Sequence, residues 1–192
     1  MPPLANETSK AVDVRSARMA RIRGLSAVMG WICVAAAVLL TLTMLIYWYS
    51  TTPEALFQQA GLAVAPPAAI DPLVRLGALA VSMVPLGALI VGLLAARRCF
   101  ALFASGHAFS GGAIRELRSF ALGVAASALL KAPAGAVLSL VLSATSPGHT
   151  RSLVVNVGSD TLLALMFAAM VAVIAWVLVE ATEIADENRQ FI

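Results

Sequence analysis

Charged side chains are scarce: 12% of the 192 residues, against 60% hydrophobic ones, where soluble domains carry roughly 25% and 45–50%. A water-soluble fold of this length has too little interior to hide that much apolar surface. A second apolar solvent, the bilayer, is implied. Cysteine and histidine number two each. Cys33 falls inside one apolar run and Cys99 just past the end of another, which excludes a disulfide or cysteine-rich metal framework. His107 and His149 fall in segments predicted on opposite membrane faces, so they cannot share a metal. The last apolar run, which follows "SD" at Ser159–Asp160, contains no acid, so the paired carboxylates of a transmembrane proton relay are missing. H-E-x-x-H, a phosphate-cradling glycine loop with lysine, and a nucleophile elbow are all lacking. The expectation is no enzyme, no cofactor and no metal.

What is present in abundance is apolar length. Four runs, Leu25–Tyr49, Leu73–Ala96, Phe120–Ala144 and Thr161–Val179, reach the ~20 residues needed to cross a ~30 Å hydrocarbon core. Backbone polar groups in lipid must be satisfied within the segment, so each run is predicted to be an α-helix. The alternation of a membrane β-strand is missing, which removes a barrel. The predicted fold is an all-α membrane protein: four transmembrane helices in a bundle, over about 25–49, 73–96, 113–144 and 160–182. The first run is too long for a signal-peptide core of 7–15 residues, and no small-x-small site precedes "TTPEA". It reads as a signal anchor.

Lysine and arginine placement sets orientation. Lys10, Arg15, Arg18, Arg21 and Arg23 precede the first run, Arg97, Arg98, Arg115 and Arg118 lie between the second and third, and Arg189 follows the fourth. Only Arg75 and Arg151 fall on the other side. Both termini are predicted to be cytoplasmic, in a multi-pass bacterial inner-membrane protein. The net charge of +3 is then a topology signal and not a nucleic-acid footprint. Residues 1–24 open as a polar, irregular "MPPLANETSK" and continue as a basic stretch. That stretch either lies on anionic headgroups or only anchors the first helix.

The punctuation of the connecting segments is legible. "TTPEALFQQAG" offers Thr52 as N-cap, Pro53 at N1, Glu54 in the first turn and Gly61 as a stop, so a short interfacial helix is predicted over 53–60 in the first outer loop. "APPA" breaks the chain, Asp71 and Pro72 open the second membrane helix, and Ser159 or Asp160 opens the fourth. Trp31, Tyr47, Trp48 and Tyr49 are placed as interfacial aromatics. The central segment, with Phe100, Phe103 and Phe109, is predicted as re-entrant or surface-lying, with Gly111 and Gly112 turning sharply into a helix near Ala113. Gly87, Ala88, Gly92, Gly123, Ala126, Gly135 and Ala136 are candidates for close helix contacts.

Lys131 is the sharpest feature, the only charge between Ser119 and Ala144. A charged lysine at a transmembrane helix centre costs about 2.5–3.5 kcal/mol. Pro133 frees the carbonyl of Leu129, and Pro85, at the midpoint of the second run, frees that of Val81. Those carbonyls, with Ser82, Ser127, Thr41 and Thr43, are the expected acceptors for the ammonium. Two readings stand: a wet or ligand-holding cavity at two matched helix kinks, or interhelical glue around a neutral amine.

At the C-terminus, residues 183–192 form an acidic tail. Glu180, Glu183 and Glu187 continue the last helix on one face, which its macrodipole disfavours. They are expected to meet Arg97, Arg98, Arg115 and Arg118, or else to form a solvated acidic end. "GHAFSGGAIRELRSFA" (Gly106–Ala121) and "EATEIADENRQFI" (Glu180–Ile192) resemble, in order and place, two motifs of the bacterial four-helix membrane family catalogued as domain of unknown function 2975. The resemblance covers residues 25–192 and carries Gly106, Phe109, Ser110, Leu117, Arg118, Glu187 and Asn188. It implies a four-helix membrane protein with no established enzymatic activity, whose relatives are often encoded beside a small helix-turn-helix regulator. The leading expectation is a non-enzymatic regulatory or interaction protein that engages a cytoplasmic protein partner. The alternatives are a small-molecule or ion carrier using Lys131, and an accessory subunit of a larger membrane complex. The lipid bilayer is an expected partner and nucleic acid is not; the sequence leaves the oligomeric state open.

Overall fold

The computed structural model describes residues 4–61, 70–106, 110–145 and 158–190, with side chains for 21–58, 60–61, 70–106, 110–145 and 158–184. Five helices follow one another: α1 (Leu4–Ser50), α2 (Pro53–Gln59), α3 (Pro72–Ala104), α4 (Gly111–Ser143) and α5 (Ser159–Gln190). Four stretches, Arg21–Ser50, Pro72–Ala104, Gly111–Ser143 and Ser159–Ile184, are long and apolar enough to cross a membrane. Large apolar side chains cover their outer surfaces; Trp31 and Trp176 are 72% and 73% exposed. Hydrocarbon, not water, is the solvent such surfaces require.

The helices pack in a row, α1 on α3, α3 on α4, and α4 on α5, with the α3–α4 contact the most extensive. No comparable packing joins α1 to α5 among the described residues, so the row does not close into a ring. Small side chains make the seams, as helices in lipid require: Ala78, Ala95, Ala96, Ala121 and Ala128 are buried. Gly92 and Gly123 mark the closest approach, since a Cβ on Gly123 would lie 2.6 Å from the Cα of Gly92 and 3.0 Å from the carbonyl oxygen of Ala88. Three of the predicted contact residues therefore form one crossing. Gly87 and Gly135, predicted alongside them, have open space where a Cβ would stand.

The two ends of the row differ. At the basic end, α3 finishes at Ala104 and α4 begins at Gly111. The re-entrant segment expected there is instead helix: α3 continues past Ala96 to Ala104, carrying the edge-to-face pair Phe100–Phe103, centroids 6.1 Å apart. The helix stops because Gly106 takes φ +89°, a left-handed conformation that favours glycine, and its N–H donates to the Phe103 carbonyl at 3.1 Å. Ser110 then caps α4, its hydroxyl accepting from the Ala113 N–H at 3.2 Å. Gly111 and Gly112 thus begin the helix and do not form a turn before it. α1 is also longer than expected: its backbone is helical from Leu4, where irregular chain was predicted.

At the opposite end sits α2, starting with Pro53 at N1 and closing at Gly61 with φ +69°. Thr52 holds the N-cap position in an extended conformation, but its hydroxyl makes no capping bond. Leu56 and Phe57 are buried against Trp48, Ala78 and Leu142. Trp48, read as an interfacial aromatic, is therefore core, 3% exposed, because α2 folds over it; Tyr49 beside it is exposed. Arg75 locks this corner, donating to the Tyr49 carbonyl at 3.2 Å and the Thr51 carbonyl at 2.6 Å. Those carbonyls belong to the end of α1, where a cation is favoured. Asp71 caps α3 by accepting from the Leu73 N–H at 2.9 Å.

Candidate functional site

Lys131 has a partner that sequence reasoning missed. Its Nζ donates to Oδ2 of Asp160 at 2.7 Å, and Asp160 lies in the first turn of α5. No bond joins the ammonium to the carbonyls of Val81 or Leu129, or to the hydroxyls expected to receive it. The hydroxyls of Ser82 and Thr41 turn back to their own helices, donating to the carbonyls of Ala78 at 2.9 Å and Ala37 at 2.8 Å. That is the usual satisfaction of a helical serine or threonine in an apolar medium.

The pairing has a geometric cause. α5 does not start level with the end of α4. It starts beside Lys131, and from Lys131 to Ser143 there are about 18 Å of helix at ~1.5 Å per residue. The apolar stretch of α5, Thr161–Val179, is about 28 Å long by the same rise. Lys131 is thereby brought level with the polar first turn of α5. The ion pair is open, with Lys131 and Asp160 side chains 50% and 66% exposed. The negative charge also sits at the positive end of the α5 macrodipole. Lys131 is therefore not a lone lysine: a carboxylate stands against its charge.

The pair lies on the rim of a cleft of about 680 Å³. Ser82, Pro85, Leu86 and Leu89 of α3, with Ser127 and Leu138 of α4, make its floor. α1 supplies one wall through Leu40, Thr43, Met44 and Tyr47, and the head of α5 supplies the other. Leu56 and Ala60, in and just after α2, close the α2 end. The cleft exists because α1 and α5 flank the α3–α4 pair without meeting. Four of the predicted intramembrane residues, Lys131, Pro85, Ser82 and Ser127, line it together. Pro133 does not line it and is exposed. Mostly apolar walls with a few convergent polar groups, in a volume within roughly 300–1,000 Å³, are the ordinary form of a ligand site.

The residues predicted for a basic-end face divide. Arg97, Arg98, Arg115 and Arg118 are exposed. The expected contact of the acidic tail with them is not made by its described residues: Glu180 and Glu183 are exposed, and the main packing of α5 is on α4. Arg98 instead approaches Glu116, one turn into α4, at 4.0 Å. Glu116 stands among arginines in the sequence, and only the packing of α3 on α4 brings it to Arg98. Gly106 and Ser110 act as helix stop and cap, and Leu117 is half-buried. Phe109 lies outside the described residues, as do the side chains of Glu187 and Asn188, the two histidines and Arg151. Among the described residues no group of three or more His, Cys, Asp or Glu could hold a metal.

A family model described as Protein of unknown function (DUF2975) matches residues 50–192. The chain belongs to that family, which agrees with the resemblance carried by Gly106–Ala121 and Glu180–Ile192. No curated protein and no solved structure matches it.

Proposed function

We propose that this DUF2975 chain is a non-enzymatic, multi-pass protein of the bacterial inner membrane that holds a small ligand in the Lys131–Asp160 cleft. Its occupancy is reported to a cytoplasmic protein partner, such as a helix-turn-helix regulator, at the basic end. The observation that supports the ligand reading most strongly is the open ion pair on an otherwise apolar 680 Å³ cleft. The distribution of arginines supports a cytoplasmic basic end. The floor of the cleft continues as the unbroken helices α3 and α4 to that end, so a change in their packing at Pro85 is felt at Arg97, Arg98, Arg115 and Arg118.

A carrier using the same lysine gains less support. Past Leu89 the floor closes at the Gly92–Gly123 crossing, and Ala95, Ala96, Cys99 and Val124 are buried beyond it. The test is crosslinking in intact membranes between the basic end and a regulator encoded beside it, comparing wild type with Lys131→Met. The proposal expects the crosslink yield to change. Equal yields at equal protein levels overturn it.

A further inference from the structure

We infer that the occupant of the cleft is one phospholipid whose headgroup carries both a phosphate and a primary ammonium, the ethanolamine chemistry. This rests on the ligand reading above and adds the class of ligand.

Charge selects the class first. Lys131 uses one of its three N–H donors on Asp160, and Asp160 gives one of its two oxygens to Lys131. Both side chains are half exposed or more, so each has capacity on its open side. A purely anionic headgroup meets Lys131 but is repelled by Asp160 close by. A purely cationic one meets the converse. A headgroup bearing both signs, laid antiparallel to the pair, satisfies all four charges: phosphate oxygens accept from Lys131, and the ammonium donates to Asp160. Charge-assisted bonds of that kind form at roughly 2.7–2.9 Å. A quaternary choline has no N–H and cannot make the second contact.

Geometry selects a lipid over a water-soluble zwitterion. The ion pair sits at the polar head of α5, where Ser159 and Asp160 precede its apolar run. From there toward the basic end the cleft offers Leu40, Leu86 and Leu89, an apolar track for an acyl chain. The side between α1 and α5 has no helix packing to close it, so the second chain remains in the bilayer. A soluble zwitterion would leave that track filled with water.

The experiment is native mass spectrometry of the full chain, purified in mild detergent and titrated separately with dioleoyl phosphatidylethanolamine, phosphatidylcholine and phosphatidylglycerol. Wild type is expected to retain one phosphatidylethanolamine at least tenfold more readily than either other lipid. Asp160→Asn should abolish that preference and raise phosphatidylglycerol retention, because Lys131 then stands without a carboxylate. The exchanged pair Lys131→Asp with Asp160→Lys keeps both charges and should restore phosphatidylethanolamine, which separates recognition from misfolding. Equal wild-type retention of phosphatidylcholine, or a preference untouched by Asp160→Asn, overturns the headgroup assignment. If phosphatidylglycerol alone binds and Lys131→Met removes it, the class is wrong and the ligand site survives. If no lipid depends on Lys131 and free ethanolamine phosphate does not bind either, the ligand reading falls as well.

Discussion

Adding a single methyl group at position 123 is the most direct probe of how the row is assembled. A Cβ there would sit 2.6 Å from the Cα and 2.8 Å from the amide nitrogen of Gly92, and 3.0 Å from the Ala88 carbonyl oxygen. Carbon atoms rest at roughly 3.5–4.0 Å, and all three neighbours are backbone, which cannot swing aside. α3 and α4 must therefore separate by about 1 Å at their closest point, loosening the alanine seam on either side. Overpacking of this kind costs about 1–3 kcal/mol. Alanine's better helix propensity returns about 0.8–1.0 kcal/mol, so Gly123→Ala loses up to about 2 kcal/mol and Gly123→Val more. Gly92→Ala, whose Cβ would meet Gly123 Cα at 3.2 Å, should lose less. Gly135→Ala and Gly87→Ala, with nothing within 4 Å, should lose nothing. Thermal unfolding in one detergent gives the ranking, at about 2–4 °C per kcal/mol for a chain of this size. If Gly123→Val melts with Gly135→Ala, the close crossing does not exist.

Three other sites give independent expectations. Arg75→Lys cannot hold the Tyr49 and Thr51 carbonyls together, and should loosen the α1–α2 corner by about 1.5–3 kcal/mol, seen as faster hydrogen exchange at residues 51–61. Asp71→Ala and Ser110→Ala remove caps worth ~1 kcal/mol each, lowering the melting temperature without changing oligomeric state. Gly106→Ala must hold a left-handed φ at about 1–2 kcal/mol, with its Cβ 3.3 Å from the Arg23 guanidinium; protease sensitivity of the α3–α4 turn should rise.

Most of the architecture was legible because it follows from local rules. Apolar runs of sufficient length, Pro53 and Pro72 at first-turn positions, and Asp71 beside a helix start all act within a few residues. The misreadings arose where neighbours in space decide. Trp48 looked like an interfacial aromatic until α2 folded Leu56 over it. Arg98 was assigned to the tail, yet Glu116 on the adjacent helix is nearer. Lys131 seemed to lack an acid because Asp160 precedes the apolar run of α5 and reads only as a helix opener. One signal could have found it: the apolar run of α5 is the shortest of the four, so its polar head sits deeper beside a longer neighbour. The vertical offset between helices leaves little other trace in a sequence.

That offset is the central claim, and cysteine accessibility tests it. Lys131→Cys, made in a chain with Cys33→Ala and Cys99→Ala, is treated in intact cells with a charged, membrane-impermeant maleimide. Leu122→Cys on the same helix, 61% exposed within an apolar run, serves as the control expected to lie in hydrocarbon, and Tyr49→Cys, 86% exposed at the α2 end, as the accessible one. A cleft headed by α5 at Asp160 predicts that position 131 labels like position 49, while 122 stays protected. Protection of position 131 to the level of 122 would mean that α5 rises past Lys131 and that the cleft is closed to water.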